Sequence, residues 1–564
     1  MSTTPNDPIE MFANLLKGGQ DVFGNAPHVD PMAGFTALTR QMTEAQQQFM
    51  KQVTDFWSGK SAASDETDAQ SKPTPGEDKR FAADAWRNDP RFDLVRRTYL
   101  AYSDFLKGAV ESVPLDDTTK AQMRYGMRQF VDAMSPSNFF ATNPEAMQLA
   151  AETGGQSVVQ GMNLFFEDLG KGQVSSTDEK AYVVGKDLAT TPGAVIFEND
   201  LMQVIQYAPT TAEVHEHPLL MIPPCINKFY ILDLKPENSI VRHVVGQGHT
   251  VFMVSWRNAG PEQGHWTWDD YLREGVMRAI DVALGVSGAD KVNALGFCVG
   301  GTLLACAIAV QRAQEIDRVA SITLLTTMLD FTDTGEIGAL VTPQSVAARE
   351  ASIGSGGLMK GKELAFTFSS LRSNDLIWQY VVNSYLKGKG PPAFDMLYWN
   401  ADSTNLPGPM FCWYVRNTYL ENNLRIAGKT TQCGVPVDLS LIDIPAFVYA
   451  SREDHIVPWH TAYASIELLA GESTFVLGAS GHIAGVINPP AKNKRNFWVN
   501  SVTDPDPDRW FEGSQSMPGS WWPTWTQWLD GHAGAMVPAG KTLGNRQYKR
   551  VEDAPGRYVL QEDE

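Results

Sequence analysis

The sequence predicts an α/β fold built on a parallel β-sheet with helices on both faces. The first observation is a set of apolar runs typical of buried strands, at residues 194–198, 201–207, 218–224, 250–256, 291–297 and 321–327. The second is that helical patterns lie between them, chiefly at 269–285 and 299–313. Strands that alternate with helices favour parallel pairing, because each crossover helix packs on a face of the sheet. Two further strands are expected at 444–450 and 473–479.

Residues 58–80 predict a boundary near the N-terminus. They are rich in Ser, Asp, Pro and Lys and contain no large apolar residue, which is typical of a solvated linker. Before them, residues 1–57 are predicted to be an amphipathic helical segment, since apolar residues recur at helical spacing at Phe35, Leu38, Met42, Phe49, Val53 and Phe56. This helix either docks on the rest of the chain or meets a partner protein or a hydrophobic surface.

The rest of the chain divides into two predicted domains. Residues 81–180 read as helices with breaks at Pro90, Pro136 and Pro144, so we expect a helical N-terminal domain there. Residues 181–564 contain the strands and form the α/β domain. Between about 328 and 440 the alternation of strand and helix is lost, which indicates an inserted cap over the edge of the sheet.

Composition excludes several classes of protein. The 564 residues carry 46 basic against 65 acidic side chains, a net charge of −19, which argues against a basic nucleic-acid-binding surface. Five cysteines at irregular spacing predict neither a disulfide framework nor a zinc site. The first residues have no basic and then apolar signal segment, so we expect a cytoplasmic protein.

One uncharged stretch has the length of a membrane span. It covers residues 292–310, but it contains three glycines and changes character in the middle, from VNALGF to TLLACAIAV. A buried strand followed directly by a buried helix explains that change better than a single helix. The sequence therefore predicts no transmembrane span.

The centre of that stretch carries the candidate nucleophile. Cys298 lies in the pattern Gly-Phe-Cys-Val-Gly, between the end of a predicted strand and the start of a predicted helix. A nucleophile on such a sharp turn needs glycine two positions away on each side, because larger side chains would collide with neighbouring backbone. The helix N-terminus also favours a thiolate. The alternative is a small core cysteine in a packing turn, which is our interpretation of Cys306 and Cys412.

A candidate acid and base follow the two late strands. Asp454 comes after the strand at 444–450 and His482 after the strand at 473–479, so both are expected at the same sheet edge as Cys298. Their chain order is nucleophile, acid, histidine, as in other nucleophile-elbow enzymes. His455 is a weaker candidate base, since neighbouring loop positions point apart.

Other residues that could bind a ligand or a metal also have ordinary structural explanations. His215 and His217 could share a strand face, but no third ligand is evident, so no metal is predicted. Lys492, Lys494 and Arg495 form a basic cluster that is either a solvated surface or a contact for phosphates. Four aromatic residues of the predicted cap either shield the thiol or belong to an ordinary core: Trp399, Phe411, Trp413 and Tyr414.

Several longer runs resemble one enzyme family. LGFCVGGTLL, LLTTMLDFTDTG, SREDHIVPW and GASGHIAGVINPPAKNKR are similar to polyhydroxyalkanoate synthases of the single-subunit, short-chain type, over roughly residues 80–560. The resemblance implies an α/β-hydrolase fold with an inserted cap after a helical N-terminal domain. It also implies an acyltransferase without cofactor that uses 3-hydroxyacyl-CoA, chiefly 3-hydroxybutyryl-CoA, and works as a homodimer at the surface of cytoplasmic polyester granules, with granule-associated proteins as further partners.

By that resemblance the catalytic residues are Cys298, Asp454 and His482. We expect His482 to take the thiol proton and backbone N–H groups to hold the oxyanion, one from Val299 and one from Cys225 or Ile226. Asp454 either orients His482 or activates the attacking hydroxyl. Two rival hypotheses are a cysteine hydrolase of the same fold, acting on esters or lactones, and a non-catalytic protein that coats granules.

Overall fold

The computed structural model describes residues 78–562. Within these residues, one compact unit runs to Phe165 and includes Val381–Lys389, and a second comprises Phe166–Tyr380 and the chain from Gly390 onward. The predicted amphipathic segment 1–57 and nearly all of the predicted linker 58–80 lie outside the described residues.

The first unit is helical, as the sequence predicts for the region before the sheet. Its main helices are α1 (Pro90–Ser112), α2 (Asp117–Ala133), α3 (Pro144–Glu152) and the start of α4 (Gln156–Lys171). The side chains of Asp89, Asp116 and Asn143 cap the first three by accepting hydrogen bonds from backbone N–H groups. The prolines that were predicted as breaks at 90 and 144 occupy first helical positions, where a missing N–H has no cost.

A segment from the predicted cap belongs to this helical unit. Residues 381–389 pack here through a contact of 2.7 Å between the Lys387 Nζ and a carboxylate oxygen of Glu145, and through an edge-on contact of Tyr385 with Phe165 at 5.4 Å between ring centroids. No sequence pattern indicates this placement, because both partners are more than 200 residues away along the chain.

The second unit is built on an eleven-stranded sheet. Its strands are β1 (Gly193–Glu198), β2 (Met202–Tyr207), β3 (Leu219–Ile222), β4 (Val251–Trp256), β5 (Val292–Phe297), β6 (Val319–Leu325), β7 (Ala446–Ser451), β8 (Ser473–Gly478), β9 (Asn496–Val499), β10 (Gln515–Pro518) and β11 (Glu552–Asp553). Their spatial order is β10-β9-β8-β7-β6-β5-β3-β4-β2-β1-β11. The six strands from β8 to β4 in that order run parallel, and the outer pairs are antiparallel. The predicted α/β class is confirmed.

Helices cover the sheet and fill the stretch between β6 and β7. Those before β6 are α5 (Ile240–Gly246), α6 (Arg278–Ser287) and α7 (Val299–Ala313). Between β6 and β7, where the cap was predicted, lie α8 (Pro343–Ile353), α9 (Gly361–Leu371), α10 (Asp395–Ala401) and α11 (Gly408–Val415). After β7 come α12 (Trp459–Ala464), α13 (His482–Val486), α14 (Pro507–Glu512) and α15 (Trp522–Asp530).

The uncharged stretch at 292–310 is a strand followed by a helix. Strand β5 ends at Phe297 and α7 begins at Val299, as predicted, and nearly every side chain of both elements is buried. Burial in the core of the α/β unit therefore accounts for the lack of charge. Across residues 78–562, no helix has the length and apolar character needed to span a membrane.

Tryptophans fix α15 to the second unit. Trp521, Trp522 and Trp525 are fully buried, and each indole N–H donates a hydrogen bond, to the carbonyl oxygens of Gly485 and Val486 and to the Thr323 hydroxyl, over 2.9 to 3.1 Å. Because Gly485 and Val486 lie in α13, the same contacts hold the helix that begins at His482. Two further tryptophans, Trp498 and Trp510, lie in β9 and α14.

Replacing Trp525 should destabilise the fold. Trp525→Ala removes a fully buried indole and leaves the Thr323 hydroxyl without its partner, so we expect a loss of about 3–5 kcal/mol in the free energy of unfolding. Urea denaturation measures it. Trp528→Ala, at a partly exposed position of the same helix, is the matched control and should cost much less; equal losses in the two variants would contradict the account.

Candidate active site

Cys298 occupies a sharp turn between β5 and α7. Its backbone has φ 54° and ψ −127°, a left-handed region that costs a residue with a side chain about 1–3 kcal/mol. The turn is held because the Cys298 N–H donates to the Leu325 carbonyl at 3.0 Å and its own carbonyl accepts from the Gly301 N–H at 2.9 Å. The thiol is thereby presented at the carboxyl edge of the sheet.

Three glycines allow the chain to pack this closely around the cysteine. A Cβ built on Gly296 would lie 2.3 Å from the Cα of Gly301, and one on Gly300 would lie 2.3 Å from the carbonyl oxygen of Ile222. A Cβ on Gly301 would lie 2.1 Å from the Thr327 hydroxyl. These are distances that real Cβ atoms do not reach, so the spacing that predicted the turn has a steric cause.

Asp454 and His482 meet at the ends of two neighbouring parallel strands. Asp454 follows β7 and His482 follows β8, and the His482 Nδ1 lies 2.6 Å from the Asp454 Oδ2. The other carboxylate oxygen accepts the N–H groups of Ile456 and Val457 at 2.8 and 2.9 Å. Both side chains are withdrawn from solvent, with 0% of Asp454 and 6% of His482 exposed. Both carboxylate oxygens therefore accept hydrogen bonds, and these bonds hold the carboxylate in one orientation.

The pKa of the His482 imidazole depends on its two neighbours, Asp454 and Cys298. Burial lowers the pKa of His482, but the charge of Asp454, then that of Cys298, and side-chain hydrogen bonds to both outweigh it and raise the pKa to about 10. The His482 ring also packs on Phe297, 5.7 Å between ring centroids. The structure therefore brings together the three predicted residues, and at neutral pH the imidazole carries a proton.

Val299 and Ile226 are the residues whose backbone N–H groups were predicted to form an oxyanion hole. Val299 is the first residue of α7, and Ile226 lies in the loop after β3. Within residues 78–562, neither N–H donates a hydrogen bond to the protein. The Ile226 loop is fixed through its carbonyls: Thr404 donates to Cys225 and Ile226 at 2.6 and 2.9 Å. Burial raises the pKa of the Cys225 thiol, so this second sulfur stays protonated.

Two tyrosines between β6 and β7 border the thiol. Burial raises the pKa values of Tyr414 and Tyr419, and the nearby Cys298 adds to both shifts. Their ring centroids are 5.8 Å apart, and Phe331 packs on Tyr419 at 5.0 Å. Tyr414 was among the predicted shielding residues, whereas Tyr419 and Phe331 were missed.

A histidine cluster lies before two of the strands, away from the thiol. His215 does not pair with His217, as its sequence spacing suggested; its ring stacks on His249 at 4.3 Å, and the Nε2 atoms of both lie within 3.4 Å of the Asp530 Oδ1. Three such groups could hold a metal ion. However, among the described residues the Nδ1 atoms of both rings are buried without a hydrogen-bond partner, whereas a metal-bound imidazole normally donates its other N–H to an acceptor. We assign no metal to this cluster.

Comparison with known proteins gives two family matches. Residues 77–244 match a family described as poly-beta-hydroxybutyrate polymerase (PhaC) N-terminus, and residues 218–489 match the alpha/beta hydrolase fold. A poly(3-hydroxyalkanoate) polymerase subunit PhaC of Cupriavidus necator is 51% identical to this chain, over 96% of this chain and 92% of its own. A poly(3-hydroxyalkanoate) polymerase of Methylorubrum extorquens is 43% identical, over 86% and 81%. A solved enol-lactonase from Burkholderia xenovorans LB400 is 14% identical over 50% and 91%, with a TM-score of 0.29.

The packing at Gly300 leads to a stability prediction. Gly300→Ala places a Cβ against the backbone of Ile222 and Pro223, so we expect a loss of about 1–3 kcal/mol in the free energy of unfolding. The control is Gly108→Ala, since a Cβ at that helical position meets nothing within 4 Å. Thermal melting compares the two variants. A Gly300→Ala protein as stable as the control would show that the turn does not need glycine.

The raised pKa of His482 leads to a pH prediction. Because its value of about 10 in the fold exceeds the ordinary 6.5, the protonated imidazole stabilises the fold fully below pH 6.5, and this stabilisation is lost as the pH rises to about 10. Melting temperatures of the unmodified protein and of His482→Gln should therefore converge across this window. A difference that stays constant, or grows with pH, would contradict the assignment.

Proposed function

Since the chain belongs to the poly(3-hydroxyalkanoate) polymerase family, we propose that it polymerises 3-hydroxyacyl-CoA, chiefly 3-hydroxybutyryl-CoA, through an acyl-cysteine at Cys298. The observation that carries the proposal is the position of Cys298, on a strained turn beside the buried His482–Asp454 pair. A thiol held in this way is an activated nucleophile rather than a core residue.

The first half-reaction transfers the acyl group to the enzyme. His482 holds the proton taken from the Cys298 thiol, and the thiolate sulfur attacks the thioester carbonyl. The oxyanion accepts hydrogen bonds from the N–H groups of Val299 and Ile226. As the carbonyl re-forms, the bond to the CoA sulfur breaks, and CoA leaves with the proton from His482. One thioester replaces another, so the acyl group stays activated.

The second half-reaction forms the ester. A 3-hydroxyl, from another acyl unit or from the growing chain, attacks the acyl-cysteine and gives its proton to His482, and the Cys298 thiolate leaves. In the alternative, Asp454 itself activates that hydroxyl. Both oxygens of Asp454 already accept hydrogen bonds, one from His482 and the other from two backbone N–H groups. This arrangement supports the orienting role.

A polymerase must keep water from the acyl-enzyme, or each chain ends by hydrolysis. Tyr414 and Tyr419 lie near enough to Cys298 to sense its charge, and with Phe331 they form an aromatic cluster that could exclude water there. These residues lie between β6 and β7, the stretch for which the cap is proposed. We therefore propose that this cap shields the thiol and moves to admit substrate.

The partners are proposed from the family resemblance. The chain is proposed to act as a homodimer at the surface of cytoplasmic polyester granules, with granule-associated proteins as further partners. One surface of the helical unit supports contact with an apolar material: Val159 and Met162 lie on α4 and are 60% and 53% exposed. Large apolar side chains grouped on one helix are suited to a polyester surface.

The rival functions predict other products. A hydrolase of the same fold would release CoA from 3-hydroxybutyryl-CoA and leave only the free acid, and a granule-coating protein would release no CoA. Measuring polymer, free acid and released CoA in one assay of the purified protein separates the three. We expect CoA release matched by polymer.

Cys298→Ala should abolish polymer formation, because no other group can carry the acyl chain. The readouts are polymer yield and CoA release from 3-hydroxybutyryl-CoA. Cys433→Ala is the matched control: this thiol is also partly exposed and donates a hydrogen bond to the backbone carbonyl of Asp269, and its loss should leave activity near that of the unmodified protein. Retained polymerisation in the Cys298→Ala protein would discard the mechanism.

A further inference from the structure

Three basic side chains follow the catalytic histidine on one loop. Lys492, Lys494 and Arg495 lie on the loop between α13 and β9, called here the cationic loop (residues 490–495). In the part of the chain that the structure describes, none of the three forms an ion pair with a carboxylate. The chain is acidic overall, at −19, so unpaired cations grouped on one loop call for an explanation.

The cationic loop joins the histidine helix to α10. The Arg495 guanidinium donates a hydrogen bond to the carbonyl of Ala484, two residues beyond His482. At the other end, the Lys492 Nζ donates to the Asn238 Oδ1 at 2.7 Å, and the Asn238 amide donates to Asp395, the first residue of α10, also at 2.7 Å. The loop is thus fixed at the rim of the candidate active site.

Helix α10 in turn contacts the loop of the proposed oxyanion hole. The indole N–H of Trp399 donates to the carbonyl of Lys228 at 2.6 Å, two residues after Ile226. The cationic loop is therefore linked on one side to α13, which carries His482, and on the other side to α10, which contacts the loop of the proposed oxyanion hole. A substrate whose carbonyl lies at that hole can reach the cationic loop with a long appendage.

The backbone of the cationic loop is strained. Asn493 has φ 40° and Arg495 has φ 68°, both in the left-handed region, and the Arg495 carbonyl accepts the Gly519 N–H at 2.9 Å. Such strain gathers at functional sites, where the surrounding structure enforces it. Here it keeps consecutive cations exposed at the rim.

Nearby acidic groups do not neutralise the loop. Asp395 is buried and accepts hydrogen bonds from the Asn238 amide and the Met396 N–H. Glu453 is exposed, and within residues 78–562 it forms no ion pair. Arg452, beside it, lies over the rings of Trp498 and Phe511. The positive charge of Lys494 and Arg495 remains open to an external anion.

We infer that the cationic loop binds the phosphate groups of the CoA portion of the substrate; this rests on the proposed function. CoA carries a diphosphate and a 3′-phosphate at the end of a long, uncharged pantetheine arm. The arm lets the phosphates stay at the rim while the thioester reaches Cys298. An ammonium offers a point charge and a guanidinium a two-pronged donor, and both bind phosphate. Because these contacts are far from the reacting atoms, they lower KM and leave kcat unchanged.

The test compares substrates with and without phosphates. The double variant Lys494→Gln/Arg495→Gln is made in the full chain, with Lys541→Gln/Arg546→Gln as the matched control; those two exposed residues precede β11, at the opposite end of the sheet. Lys494→Gln alone is a second variant that breaks no hydrogen bond within the described chain. Each protein is assayed with 3-hydroxybutyryl-CoA and with 3-hydroxybutyryl-pantetheine, which has no phosphate.

We expect the double variant to raise KM for the CoA thioester about tenfold, with kcat within about twofold, and to weaken its dependence on salt. KM for the pantetheine thioester should not change, and the control should match the unmodified protein with both substrates. Equal changes with both thioesters, or no change with either, would overturn the inference while the proposed function stands. An unmodified protein that makes polymer from neither thioester would overturn both.

Discussion

Cys298 keeps its left-handed backbone because glycines on either side let the end of β3, the end of β5 and the start of α7 approach within van der Waals distance. The turn presents the thiol at the carboxyl edge of the sheet, and Val299 follows it as the first residue of α7. The proposed oxyanion hole and the approach to His482 both depend on this geometry. A Cβ at Gly300 would push β3 away and displace the loop that carries Ile226.

The histidine and its acid are positioned by the sheet rather than by local sequence. Because β7 and β8 are parallel neighbours, the loops that follow them must meet at one edge, and this brings Asp454 to His482 across 28 residues. The buried carboxylate stabilises the imidazolium, and in the proposed mechanism the imidazolium stores the proton of one sulfur and gives it to the next leaving group. In the same region the basic side chains of the cationic loop are exposed to solvent. The proposed acyl transfer and the proposed phosphate binding therefore take place at the same edge of the sheet.

Much of this arrangement could be predicted from sequence, because it follows from periodicity and from strand ends. Helix α7 and the turn before it were predicted at their observed residues. Asp454 and His482 were predicted to lie near each other because each follows a strand that ends at the same edge of the sheet. What could not be predicted depends on distant contacts or irregular geometry. Tyr419 lies five residues after Tyr414, and a π-helical turn at residues 416–420 follows α11, which no regular helical pattern reveals. His249 and Asp530 join His215 only in the folded chain.

The most direct test of the account is to locate the acyl group on the protein during turnover. The purified enzyme would be mixed with 3-hydroxybutyryl-CoA, quenched in acid and digested, and its peptides sequenced by mass spectrometry. The account predicts a 3-hydroxybutyryl group, or a short oligomer of it, on the peptide that contains Cys298, at that cysteine and at no other. An acyl group on a different residue, or polymer made with no acylated Cys298 at any time point, would contradict it.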